Sequence, residues 1–197
     1  MTAMSAPPVA RPRWLAPVVI VVVSIMVGGG LLARELYRLP ETTPDAILAQ
    51  SSAARPLEQQ PGPGTVELTP DAAAHPQNAA VRTLLQSYFD AINNRDYDLW
   101  KTAVTRERSQ AKPRSTWLAD YSTTRDGSIL VYRIDAVNDK EMRVLVGFTS
   151  TQDQKSAPAE LPEPCVHWRL VLPVTLESSA WKVDTVTGSN TPELSRC

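Results

Sequence analysis

Two histidines, two cysteines and scattered aromatic and arginine residues are the side chains of this 197-residue chain that could do chemistry. His167 is the natural candidate for acid–base work, since an ordinary imidazole titrates near neutral pH. It alternates with Val166, Trp168 and Leu170, however, so in an extended segment it falls on the face opposite those apolar residues. A bulge near Pro173 is the one local feature that would change that phase. His75 stands beside Pro76 at the end of a proline-rich stretch and reads as solvated. The histidines and cysteines are too widely separated to make metal-ligand spacing, so no metal is expected and no catalytic residue is assigned. Neither a glycine-rich phosphate loop nor a Gly-x-Ser-x-Gly elbow occurs, which leaves nucleotide and acyl chemistry without a motif and gives no reason to expect a cofactor.

Tyr88, Trp100, Trp117, Tyr121 and Tyr132 are candidates to line the mouth of a pocket, where aromatic side chains receive apolar ligands that carry a polar handle. Packing in a core is the plainer reading of each. Arg133, Asp135, Arg143, His167, Arg169, Lys182 and Asp184 share the polar phase of the strand-like segments; mixed charge of this kind is ordinarily a solvated face. Within it, Arg133, Arg143, His167 and Arg169 are the candidates for a polar, transient interaction face. Cys165 and Cys197 form an even pair in the last part of the chain. Outside the cytoplasm they would make a disulfide tying the tail to a strand, and inside it they would be two free thiols.

A helical stretch and a set of strands must position these groups. In residues 78–104, Val81, Leu84, Leu85, Tyr88 and Ile92 recur at steps of three and four with Phe89 beside them, which predicts an amphipathic helix. The polar break Asn93-Asn94-Arg95-Asp96 ends it, and Tyr97, Leu99, Trp100, Ala103 and Val104 predict a short second helix. Trp117, Leu118 and Tyr121 have the spacing of a third short helix or a structured loop within residues 113–124. Period-two alternation then takes over. Residues 128–137 place Leu130, Tyr132, Ile134 and Ala136 on one face and Ile129, Val131, Arg133 and Asp135 on the other. Asn138-Asp139-Lys140 turns the chain into residues 141–151, whose Met142, Val144, Val146 and Phe148 share a face. After a polar connection, residues 165 to about 176 bring Val166, Trp168, Leu170, Leu172, Val174 and Leu176 into phase, with Pro173 marking an edge or a bulge. Residues 180–188 supply a last strand with Trp181 and Val183 inward. Helices followed by strands predict an α+β domain, its N-terminal helices packed on a curved, antiparallel, four-stranded sheet.

The preceding part of the chain differs in composition. Residues 14–33 run for twenty positions without a charge, about 30 Å as a helix, the thickness of a bilayer's hydrocarbon. Arg11, Arg13 and Arg34 flank the run, which reads as an uncleaved signal anchor; the cleaved-signal alternative has a poor cleavage pattern before Arg34. Pro40, Pro44, Pro56, Pro61, Pro63, Pro70 and Pro76 punctuate a stretch with little periodic hydrophobicity, expected to be a disordered linker. The expected organisation is therefore a cytoplasmic tail at 1–13, a transmembrane helix and its flank at 14–38, a Pro-rich linker at 39–76 and an extracytoplasmic domain at 77–197. Lys plus Arg (20) nearly cancels Asp plus Glu (21), leaving a net charge of −1 and no field to hold nucleic acid.

The domain resembles the nuclear-transport-factor-2-like superfamily. The likeness is carried by the amphipathic helix, the Asn93-Asn94-Arg95-Asp96 break and the aromatic second helix, then by the four strands closing on Trp181-Lys182-Val183. The resemblance implies a cone-shaped fold over about residues 76–190. The whole layout is similar to actinobacterial single-pass envelope proteins of the Mce-associated type and to the periplasmic assembly component of type IV secretion systems. It implies a non-enzymatic, membrane-anchored accessory or interaction module of a cell-envelope transport or assembly complex, crossing the membrane once with its N-terminus in the cytoplasm. Its expected partners are an envelope protein and a second copy of the chain. The superfamily also holds isomerases and dehydratases that use the cone pocket, so a domain binding a small apolar ligand, or an enzyme of that kind, is the alternative.

Overall fold

Seven residues of the first long helix, Val81, Leu84, Leu85, Tyr88, Phe89, Ala91 and Ile92, are buried along the stripe that its periodicity requires. This helix belongs to the unit Ala54–Cys197 of a computed structural model, which describes residues 55–186 and 191–197. The elements are β1 (Glu67–Leu68), α1 (Pro70–Ala74), α2 (Asn78–Asn94), α3 (Tyr97–Ala103), α4 (Arg106–Ala111), α5 (Arg114–Asp120), β2 (Arg125–Asn138), β3 (Glu141–Thr151), β4 (Cys165–Glu177), β5 (Ala180–Val183) and β6 (Glu193–Arg196). The class is α+β, with helices preceding a curved sheet.

The helix ends follow local chemistry. α2 stops where Arg95 takes a left-handed conformation (φ 57°), with its backbone N–H returned to the carbonyls of Ala91 and Ile92. The Asp96 carboxylate then caps α3 by accepting from Leu99 N, and Thr105 does the same for α4 through Arg108 N. α4 is a helix that the apolar spacing does not reveal: none of its residues is buried in the core, so it has no stripe.

The sheet has six strands rather than four. The order is β1-β2-β3-β4-β5, with β6 pairing the first half of β4 on the edge whose second half receives β5. β2, β3 and β4 form one long antiparallel meander, with Val144 opposite Leu172 and Phe148 opposite Trp168. The expected last strand at 180–188 ends at Val183, after the Ser178-Ser179 turn in which both residues have positive φ. β6 lies beyond the last strand that the alternation predicts. It carries little apolar pattern, and its anchor is the Cys165–Cys197 disulfide (Cα–Cα 5.5 Å), the pairing expected for an exported domain.

The expected phase of β2 holds only in its second half. Ile129 and Val131 are buried together with Ile134, because the register slips between Val131 and Arg133. That bulge carries the side-chain alternation across one residue, and it turns Tyr132 to the face that the sequence pattern assigned to Arg133.

The expected boundary at residue 77 is also displaced. Residues from 55 onward belong to the domain, so the Pro-rich stretch 39–76 is not wholly a disordered linker. Val66 and Ala72 are completely buried, and β1 pairs in parallel with β2 at Leu130 and Val131. α2 holds this segment by its polar side chains: Gln86 accepts from Val66 N at 2.9 Å and donates to Gly64 O at 3.0 Å, while Arg82 donates to Val66 O. The prolines suit their positions, with Pro70 at the start of α1 behind the Thr69 cap and the Pro61 and Pro63 carbonyls accepting from Ser128. The apolar run at 14–33 and residues 39–54 lie outside the described residues. Among the described residues no helix is long and apolar enough to cross a membrane.

Candidate functional site

A cavity of about 300 Å³ opens between α2 and the inner face of β3 and β4. Its walls are built by the two periodicities already described. α2 contributes Tyr88, Phe89 and Ile92, and the strands contribute Phe148, Trp168, Leu170 and Leu172. The rings interlock, Phe89 meeting Phe148 edge-on at 5.0 Å and Phe148 stacking on Trp168 at 6.0 Å between centroids.

Polar groups enter from the short helices and the start of β2. Asp126 is buried at the cavity wall, where the hydroxyl of Ser150, its direct cross-strand neighbour, donates to Oδ1 at 2.5 Å. Burial pushes its pKa up from 3.8 to about 6, against the Ser150 hydrogen bond and the Arg95 charge, which both hold it down. The backbone of Asp126 is fixed by Asn93 at the end of α2: its N–H donates to Asn93 Oδ1 at 2.7 Å and its carbonyl accepts from Asn93 Nδ2 at 2.9 Å. A carboxyl group titrating near 6 is thus held in one place at an apolar cavity.

Tyr121, Tyr88 and Arg108 complete the polar part. The neighbouring Tyr88 hydroxyl, then burial, raise the pKa of Tyr121 well above its ordinary value, with Arg108 opposing the rise. Tyr121 therefore stays a neutral hydroxyl at physiological pH, able to donate. Arg108 donates from Nη2 to the Tyr88 hydroxyl at 3.0 Å and from Nη1 to the Asp184 carbonyl at 2.8 Å, its guanidinium lying over the Tyr88 ring at 5.4 Å. Asp184 also accepts from Thr105 and Thr175, so it serves as the anchor of this corner and not as part of an outward face.

The sequence-derived candidates therefore separate. Tyr88 and Tyr121 meet at the cavity. Trp100 and Trp117 do not: both are buried in the core, 5.6 Å apart, in an aromatic cluster with Tyr97. Tyr132 is a correction of a different kind, since the β2 bulge sends it to the opposite sheet face, where its ring covers Gly147 and takes the Arg169 guanidinium at 5.3 Å. His167 lies on that same face, as its phase required. Its Nδ1 is 2.7 Å from Thr149 Oγ1, and burial lowers its pKa. Arg133 pairs with Asp135 at 2.9 Å and Arg169 lies 3.8 Å from Glu193, all exposed, while Arg143 is exposed opposite Asp135. His75 accepts from the backbone N–H of Gln77 within a turn. Among the described residues no three His, Cys, Asp or Glu side chains converge as a metal site would need.

No sequence pattern marks Asp126, Arg108, Ser150 or Phe148 as a site residue. Phe148 and Trp168 were legible as inward-facing. Asp126 was hidden because Arg125-Asp126-Gly127-Ser128 has the composition of a turn. Gly127 answers to something else: a Cβ there would stand 2.4 Å from the Gly62 carbonyl oxygen.

No protein-family model and no curated protein matches the chain. Among solved structures, a ketosteroid isomerase-like protein from Erwinia carotovora atroseptica is similar in part. The match has 9% sequence identity and a TM-score of 0.41, and it covers 58% of this chain and 99% of that one.

Proposed function

We propose that the domain binds a small, largely apolar molecule bearing one polar handle, in the cavity between α2 and strands β3 and β4, and that it does so outside the cytoplasm on a single membrane anchor. The observation that carries the binding reading is the cavity itself: an aromatic and aliphatic wall with Asp126, Tyr121, Tyr88 and Arg108 converging on it. The uncharged run at 14–33 supports the anchor, and the Cys165–Cys197 disulfide supports an oxidising compartment. A tethered binding domain of this kind suits an accessory role in an envelope transport or assembly complex. The outward arginines lend less to a docking reading, because Arg133 and Arg169 are already engaged with Asp135 and Glu193.

One observation favours a second reading, proton transfer on the bound molecule: Asp126 is a buried carboxyl group titrating near 6, in the range that suits a general base. On that reading Asp126→Asn abolishes turnover and leaves binding intact.

The binding reading is tested by native mass spectrometry of the full chain released from its own membranes, compared with Leu170→Trp, which fills the cavity with a larger side chain. The expected result is a small-molecule adduct on the native chain that is missing from the variant. An adduct of equal abundance on both proteins, or none on either after incubation with the total lipid extract, contradicts the reading.

A further inference from the structure

The acidic groups at the cavity have partners other than its arginine. Asp120 at its rim is paired with Lys112, and Asp126 is hydrogen-bonded by Ser150. Arg108 has no carboxylate partner among the described residues; it spends its donors on a tyrosine hydroxyl and a backbone carbonyl. A guanidinium carries five N–H donors, so capacity remains toward the cavity it lines. Lining side chains with unmet hydrogen-bonding capacity have the same polarity: Trp168 Nε1 and Gln152 Nε2 are buried N–H donors without a partner among the described residues. Tyr121 adds a hydroxyl that remains protonated. The cavity thus offers a cation without a carboxylate partner among the described residues and several donors, whereas the buried Asp126, ionised above about pH 6, is hydrogen-bonded by Ser150 and drawn toward the Arg95 charge.

We propose that the handle of the ligand is a carboxylate, received by Arg108 together with the Tyr88 and Tyr121 hydroxyls, with the apolar body laid along Phe89, Phe148 and Leu170. This deepens the binding reading given above and rests on it. A planar carboxylate matches the fork of a guanidinium, and a charge-assisted hydrogen bond in an apolar cavity outweighs its neutral counterpart. An alcohol of the same size would bury the same area but leave Arg108 without a counter-ion, and an ammonium would meet it with like charge.

The experiment uses three heads on one body: 4-phenylbutyrate, 4-phenylbutanol and 4-phenylbutylammonium, by equilibrium dialysis against the full chain in lipid nanodiscs, with empty nanodiscs correcting for partition into lipid. The acid is expected to bind about tenfold or more tighter than the alcohol, with the ammonium weakest. In Arg108→Gln the acid falls to the level of the alcohol while the alcohol keeps its own affinity, and Arg108→Lys retains part of the preference. Equal or tighter binding of the alcohol overturns the carboxylate assignment and leaves the cavity reading standing. Failure of all three to bind overturns both. The comparison of heads on the native chain needs no variant, so it decides the matter even where Arg108→Gln does not fold.

Discussion

The hydroxyl of Ser150 donates to the carboxylate of Asp126 at 2.5 Å, straight across the β2–β3 pair, and does so at the wall of an apolar cavity. One short hydrogen bond only partly replaces the water that a carboxylate loses on burial, which is why burial still dominates and the group titrates near 6 instead of 3.8.

That shift has a signed consequence for stability. A carboxyl group whose folded pKa lies above its unfolded value favours the folded state fully below the unfolded pKa and loses that contribution as pH rises through the folded one. The window runs from 3.8 to about 6. Asp126→Asn, which cannot ionise, is expected to be on the order of 3 kcal/mol more stable than the native chain at pH 8 and little different at pH 3.5. Urea denaturation at the two pH values measures it, and an equal effect at both would count against a raised Asp126 pKa.

Asn93→Ala removes both side-chain bonds that hold the Asp126 backbone and leaves a part-buried N–H and carbonyl without partners. A loss of about 1–3 kcal/mol is expected in chemical denaturation. Asn93→Asp, which can accept from Asp126 N but cannot donate to its carbonyl, should fall between the two proteins.

The segment before α2 is expected to be a working part of the domain. A Cβ at Gly127 would lie 2.4 Å from the Gly62 oxygen and 2.8 Å from the Pro61 oxygen, both backbone atoms that cannot swing aside. Gly127→Ala should therefore cost about 1–3 kcal/mol. A fragment starting at residue 77 should unfold at lower denaturant than one starting at 55, because it loses buried Val66 and Ala72 and the backbone partners of Gln86 and Arg82. Equal midpoints for the two fragments would restore the boundary at 77.

The disulfide closes a loop of 32 residues that contains β5 and β6. Cys197→Ser is expected to cost about 3–4 kcal/mol on the chain-entropy model. It should also speed amide exchange in β6, where Trp168 pairs with Leu194, more than in β3. Exchange that is unchanged in β6 would show that the strand holds without its covalent tie.

How far the sequence reveals this molecule depends on whether a residue's role is written in a periodicity. The stripe of α2 and the inward faces of β3 and β4 were legible because burial repeats every 3.6 or every two residues there, and these give the cavity its apolar walls. Tyr132 was misplaced because a single-residue bulge inverts alternation without leaving a mark in composition. Residues 55–76 read as linker because prolines and polar residues dominate them, while the bonds that order them come from Gln86 and Arg82, twenty and sixteen residues away from Val66. Arg108 sits on a helix with no apolar stripe, and Asp126 precedes a glycine as turn residues do. Their value arises from a long-range juxtaposition with Tyr88 and Ser150 that no local pattern encodes.

The most direct measurement of the cavity as a ligand site is a methyl NMR titration of the chain in nanodiscs with 4-phenylbutyrate. Ile92, Leu170 and Leu172 line the cavity, whereas Val171 and Leu145 are register partners on the opposite sheet face. Saturable shifts are expected at the methyl groups of Ile92, Leu170 and Leu172, with those of Val171 and Leu145 unmoved. Shifts confined to Val171 and Leu145, or no saturable shift at Ile92, Leu170 and Leu172, would contradict the binding site.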